Sequence, residues 1–271
     1  MNRSEEPGAG IPHAGICEGR SGNWPFYLDS NKQTVIVLKN FVKSIAVAVF
    51  QYMGRVQVAK EYLVGEGIEI GALQSPMKVP RSVKVKYVDM FSKEDATRIW
   101  PAKKGSLLVD VDIIDDGETL KTIKDNSQDF VIANHFLEHC MDPIGAIRNM
   151  LRVLKKRGIV YLSVPDKRFI FDKDRPTTSI EHLITDYEKG PEWSKKLHYE
   201  EIARFGENIQ DEEDVKKRVE ELTKLDYRVH FHAWTQIELA ELLIELRKRF
   251  DFEIEQFKKN EKEVVIVLRK V

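Results

Sequence analysis

Two cysteines, Cys17 and Cys140, are all that a chain of 271 residues holds. That is too few for a secreted disulfide scaffold, and neither has a second cysteine at metal-knuckle spacing. A reduced, cytoplasmic setting follows, with a peripheral seat on the inner face of a membrane as its variant. Excess charge of one sign is lacking too. The net charge of −1 leaves no basic footprint, so nucleic acid is not an expected partner. Long apolar runs are missing: the longest uncharged stretch, Ser44 to Gly54, is too short to span a bilayer. No basic start followed by an apolar run and cleavage site heads the sequence, and no internal repeat or low-complexity run marks it.

What is present is an ordinary globular balance, 42% hydrophobic and 32% charged, at a length that fits one α/β domain with additions. Residues 1–34 carry five glycines and three prolines with little periodicity and read as a poorly ordered arm. Residues 35–62 read as an amphipathic helix, with Lys39, Asn40, Lys43, Ser44, Gln51 and Arg55 forming a polar stripe. Its stretch 35–58 either packs on the domain or meets a membrane surface or a partner enzyme. Residues 63–271 form the main domain.

That domain is organised around Gly65 to Met90. Gly67-Ile68-Glu69-Ile70 is a short apolar strand that breaks at Gly71. A ligand at the carboxyl edge of a parallel sheet comes close to backbone there, where a side chain would obstruct it. Ser82 to Val88 is a second strand that ends in Asp89, whose carboxylate can accept from both hydroxyls of a ribose. Ser75-Pro76 and Val79-Pro80 lie between the two and forbid a long crossover helix. After Gly71 come Ala72, Leu73 and Gln74, where a pyrophosphate cradle needs more glycine. NAD and FAD are therefore disfavoured. A ligand with adenosine and no phosphates tolerates the loss, and S-adenosylmethionine is the common one. The plainer alternative is an ordinary strand end and turn.

Further along, Ser92 caps a helix that stops before Pro101, and Leu107 to Asp112 reads as the third strand. Asp112 at its end can receive an adenine amine while the Ile113 N–H reaches a ring nitrogen; a solvated turn is the alternative. Asp129 to Ala133 is a fourth, buried strand, followed by Asn134, His135, Glu138 and His139. His135 and His139 have helical spacing but no third ligand in view, so no metal is expected. A helix over 144–155, closed by Arg157-Gly158, leads to a fifth strand over 159–164 and then to Asp166. No strand pattern appears over 169–227, and 169–235 is read as an insertion capping an acceptor site. His198, His230 and His232 fall in it, the last two on one face by alternation. A helix over 236–249 with Thr235 as cap, and a hairpin of strands 252–257 and 263–268 around 258–262, complete the chain.

Glu69-Ile70-Gly71-Ala72, Asp89, Asp112, Asp129-Phe130-Val131-Ile132, Leu137-Glu138-His139 and Leu151-Arg152-Val153-Leu154-Lys155 before Gly158 together resemble the class I S-adenosylmethionine-dependent methyltransferases of type 11. Asp172-Lys173-Asp174-Arg175-Pro176, His198-Tyr199-Glu200-Glu201 and His230-Phe231-His232-Ala233-Trp234-Thr235 resemble, more narrowly, bacterial methyltransferases associated with glycosyltransferases and surface-polysaccharide synthesis. The resemblance implies a Rossmann-like, doubly wound sheet of seven strands, mostly parallel, with an antiparallel carboxyl-terminal hairpin. It implies that Glu69, Gly71 and Ala72 hold the methionine end of S-adenosylmethionine, that Asp89 with Met90 binds ribose, and that Asp112 with Ile113 reads adenine. Asn134 and His135 would face the sulfonium and the acceptor, a glycan hydroxyl or another small molecule. His135, Asp166, His198, His230 and His232 are the candidate bases. A non-catalytic partner module of a glycosyltransferase is the rival reading.

Overall fold

The computed structural model describes residues 53–99 and 108–271. The expected arm and residues 35–52 of the expected helix lie outside them. Residues 53–62 are helical and form α1.

Successive side chains of a strand point to opposite faces, so a strand covered on both sides must be apolar at nearly every position. β4 (Gln128–Asn134), β5 (Leu154–Pro165) and β7 (Glu263–Lys270) meet that condition over most of their length. Val131, Ala133, Val160, Leu162, Ile266 and Leu268 face one side, where they pack with α3 (Pro143–Val153), Leu183 of α4 (Ile180–Lys189) and α7 (Gln236–Arg247). Phe130, Ile132, Ile159, Tyr161, Val265 and Val267 face the other and pack against Val58, Ala59 and Leu63 at the end of α1, with Met77 and Val83. The result is a three-layer α/β domain.

With β1 (Glu66–Ile70), β2 (Lys84–Asp89), β3 (Ile113–Ile114) and β6 (Phe252–Asn260), the sheet has seven strands in the order β3-β2-β1-β4-β5-β7-β6. β3, β2, β1, β4 and β5 pair in parallel; β7 is antiparallel to β5 and to β6. The order reverses at β1, which places the carboxyl ends of β1, β2 and β4 around one crevice. No helix lies between β1 and β2, as the two prolines require. α2 (Lys93–Ile99) starts at Ser92, whose Oγ accepts from the Asp95 N–H at 3.1 Å.

Several expected boundaries are corrected. Residues 108–111 are not strand. The Asp112 carboxylate accepts from the Tyr87 N–H at 2.8 Å, taking the place a backbone carbonyl would fill, so the ladder to β2 begins only at Ile113. α3 ends at Val153 because Leu154 is extended and pairs with Gln128; residues 154–158, read as helix end and turn, belong to β5. The hairpin turn is Glu261-Lys262 alone, between longer strands than expected, and α7 stops at Arg247.

From Asp166 to Thr235 the chain makes short helical turns, α4, α5 (Lys195–Glu201), a π-helical turn over Ile202–Gly206 and α6 (Glu212–Leu225). Tyr199, Ile202, Leu222, Val229 and Phe231 give this cap a small core of its own.

Candidate active site

The crevice begins at Gly71. Its φ is +65°, and a Cβ built on it would meet nothing within 4 Å; its N–H is held by the Val88 carbonyl at 3.0 Å. Bare backbone therefore faces open space. Asp89 ends β2, with its Oδ1 accepting from the Phe91 N–H at 3.2 Å, and burial raises its pKa against the help of the Phe91 and Met90 N–H groups. Asn134 ends β4. Its amide donates to Met77 Sδ at 3.4 Å, while its Oδ1 is buried with no hydrogen-bond partner. An open cradle, a carboxylate beside it and an orphaned amide oxygen fit a ligand that carries a ribose and an ammonium group.

Other expected contacts sit differently. The Glu69 carboxylate is turned onto the Met77 N–H, at 2.9 and 3.0 Å, and burial pushes it up to about 7; it braces the β1–β2 connection. Ala72 is buried and Met90 is 45% exposed. Asp112 and Ile113 do not lie past the third strand: Asp112 precedes β3 and Ile113 is its first residue, level with Val88. The acids at that strand's end are Asp115, which accepts from Thr122, and Asp116, which accepts from the Glu118 N–H at 2.7 Å.

His135 follows Asn134 with φ +49°, a turn that carries its ring toward the hairpin. Nε2 lies 2.9 Å from Glu263 Oε2 and 2.7 Å from Arg55 Nη2. Glu263 in turn accepts from Arg55 Nε at 2.7 Å and from Asn260 at 2.8 Å. Burial would raise the Glu263 pKa, but the Arg55 guanidinium and His135 outweigh it and hold the carboxylate at about 2. Burial lowers the pKa of His135, so the imidazole is neutral at neutral pH. On its other side, Nδ1 is 3.7 Å from Glu138 Oε1.

Glu138 sits in a single helical turn, Leu137–His139, and neither carboxylate oxygen has a hydrogen-bond partner. Burial pushes it up to about 7. His139 and His230 pack edge to face at 4.4 Å beside it. His139 Nδ1 faces the Val229 carbonyl at 2.9 Å, and His230 Nδ1 faces Asp172 at 2.6 Å. Asp172 is paired with Arg175, a buried guanidinium that also donates to Glu201 and to the His230 and Phe231 carbonyls.

The five candidate bases thus separate. His135 and His230 flank Glu138. His198 and His232 join a second group with His182 and Asp186; the segment carrying His230 and His232 is not a strand, and the two rings go to different groups. Burial and then neighbouring imidazoles lower the pKa of His198, to about 3, and of His232. Asp166 stands apart, clamped by Arg168 through Nε at 2.9 Å and through Nη2; an acid so occupied is a helix-turn cap, not a base. The sequence marks Arg55 only as part of a polar stripe, Asp172 and Arg175 only as part of a motif and Glu263 only as a strand start; their place at the site was not legible because each partner is distant in sequence or lies in an irregular turn. His182 and Asp186, four apart on one helix, did carry a legible signal.

Residues 65–162 match a family described as a methyltransferase domain, a stretch that includes Gly71, Asp89, Asn134 and His135. That matched stretch, together with this strand order and this crevice, supports a SAM-dependent methyltransferase activity with S-adenosylmethionine as the cofactor. Among solved structures, similarity extends to a SAM-dependent methyltransferase of Thermotoga maritima, at 20% identity over 86% of this chain and 96% of that one with a TM-score of 0.45. A methyltransferase of Methanosarcina mazei is similar at 19% identity, over 78% and 95%, with a TM-score of 0.42. One from Aquifex aeolicus follows at 12%, over 79% and 88%, with 0.43. No curated protein matches the chain significantly.

Proposed function

We propose that this methyltransferase acts on a sugar hydroxyl, in a surface polysaccharide or its precursor. The observation that carries the reading is the imidazole of His135 set between two carboxylates, Glu263 at 2.9 Å and Glu138 at 3.7 Å, immediately past the strand end that faces the crevice. A hydroxyl is a poor nucleophile at neutral pH and gains from a base that takes its proton as the new bond forms.

Gly71, Ala72 and Asn134 would hold the methionine end of S-adenosylmethionine, and Asp89 with Met90 the ribose. The adenine contact falls to Asp115 and Asp116 in place of Asp112. When bound, the cofactor supplies a methyl group on a sulfonium leaving group. The chain's part is chiefly alignment, which can contribute roughly 7–11 kcal/mol. His135 adds proton transfer. With the Arg55 guanidinium turned to the Glu263 carboxylate and Nε2–H donated to that carboxylate, Nδ1 carries the lone pair and takes the acceptor's proton, and Glu138, once ionised, favours the imidazolium so formed. A lipid-linked acceptor would bring the protein to a membrane surface or a glycosyltransferase. Residues 35–58 are the proposed contact, with the exception of Val58, which is buried against the sheet.

The test pairs calorimetric binding of S-adenosylmethionine, with Asp89→Ala as control, and mass spectrometry of products from a panel of nucleotide sugars, lipid-linked sugars and small amines. Methylated sugar, lost in His135→Ala while cofactor binding survives, is the expected result. Tight cofactor binding with methyl transfer only to amines would overturn the sugar reading.

A further inference from the structure

The second buried group is not needed for methyl transfer as just described, yet it has the composition and spacing of a coordination shell. His182 and Asp186 come from one face of α4, where a spacing of four residues stacks side chains. His198 comes from α5 and His232 from the extended segment before α7. One ligand atom from each lies within 4.8 Å of all the others. His182 Nε2 is 3.1 Å from His198 Nε2 and 3.1 Å from Asp186 Oδ2, and His232 Nε2 is 3.9 Å from the same oxygen. Bonds of the usual zinc–nitrogen and zinc–oxygen length, in tetrahedral array, put ligand atoms about 3.4 Å apart.

Two further observations point to a ligand. Asp186 has no exposed side-chain surface, and its Oδ2, aimed into the group, accepts no hydrogen bond. Such an oxygen is costly to bury unless a cation or donor meets it. Its other oxygen accepts from Ser194 Oγ at 2.9 Å, the kind of outer hydrogen bond that fixes a metal-ligating carboxylate. The His232 ring is stacked on Trp234 with centroids 5.4 Å apart, which fixes its plane.

We propose that His182, Asp186, His198 and His232 bind one divalent transition-metal ion, of which zinc suits three imidazoles and a carboxylate best. Four protein ligands in a buried group leave no open position, so the ion is a structural clasp. It ties α4, α5 and the segment 228–235 together. The same segment carries His230 to Glu138, so the clasp sets the cap over the active site. This proposal stands independently of the acceptor's identity.

The experiment is metal content and zinc affinity of the full chain, stripped with chelator and dialysed against zinc chloride, compared with His182→Gln, Asp186→Asn and Ser194→Ala. The expected result is one zinc per chain, with affinity reduced at least tenfold in the first two variants and about 10–100-fold in Ser194→Ala. Glu138→Gln, in the other buried group, should keep full zinc content. X-ray absorption should report nitrogen and oxygen neighbours only, and zinc should raise the melting temperature of the stripped wild type more than that of Asp186→Asn. His182, at 16% side-chain exposure, is the variant least expected to disturb folding. Folded wild type that takes up no zinc at micromolar free metal would overturn the proposal. So would stoichiometric binding that His182→Gln and Asp186→Asn leave intact, or that Glu138→Gln removes.

Discussion

Two buried polar groups lie within the same cap and core, and they are built to opposite ends. Around Glu138 the carboxylate has no hydrogen-bond partner, and His135, which faces it, keeps 30% of its side chain exposed; the group is open on the crevice side. Around Asp186 three imidazoles close on one carboxylate, and only His182 retains any notable exposure. An incomplete set of partners with access to solvent suits a group that exchanges a proton with a substrate. A complete, closed set suits a group that holds chain segments in place. Arg175 is the seam between them: its guanidinium joins Asp172 and the His230 carbonyl on one side to Glu201 and the Phe231 carbonyl on the other.

The comparison breaks most sharply at His135. His135→Ala should lower kcat by about 10²–10⁴-fold while the affinity for S-adenosylmethionine is retained, as calorimetry and initial rates would show. A comparable loss from His198→Ala with folding intact would mean that the roles of the two groups have been interchanged. Next in size is Arg175→Met. Removing the guanidinium from this buried ionic network leaves Asp172 with the His230 ring but without its cation and should cost about 3–5 kcal/mol, read by denaturant unfolding, with both groups disturbed together.

Glu138→Gln sharpens the difference through pH. The native carboxyl, at about 7 against an ordinary 4.5, holds a proton that the unfolded chain has already released. Between those values the native state binds more protons, so this residue makes stability fall as pH rises. Glutamine removes that slope, and above about pH 7 the variant should be more stable than wild type by up to roughly 3 kcal/mol. Glu263 acts in the reverse sense: held at about 2, it contributes stability that is present above pH 4.5 and lost as pH falls toward 2. Melting temperature against pH, for wild type and variant, separates the two. The smallest effect is at the edge of the cap, where Thr235 and Glu238 form a capping box at the start of α7. Thr235→Ala should cost about 1 kcal/mol and leave both groups in place.

The fold was legible in the sequence because its signals are local, and so were the ends of β1 and β2. Strands buried on both faces must be apolar throughout, a backbone turn beside a ligand needs Gly71, and Asp89 closes the strand that precedes it. The misplaced third strand shows the limit even of local signals. Residues 107–112 are as apolar as a strand needs, but the Asp112 side chain captures the Tyr87 N–H and delays the ladder, a competition no pattern of hydrophobicity records.

The histidines mark the other boundary. Sequence alone placed His135 just past a strand end and His198, His230 and His232 in or just after a long stretch without strand pattern. Which of them meet was decided by tertiary structure. Glu263 reaches His135 from a hairpin 128 residues away, and His232 reaches Asp186 only because α4 and the segment before α7 are packed side by side. Such contacts depend on distances between elements, set by how the cap closes on the sheet, and that closure has no period or spacing along the chain.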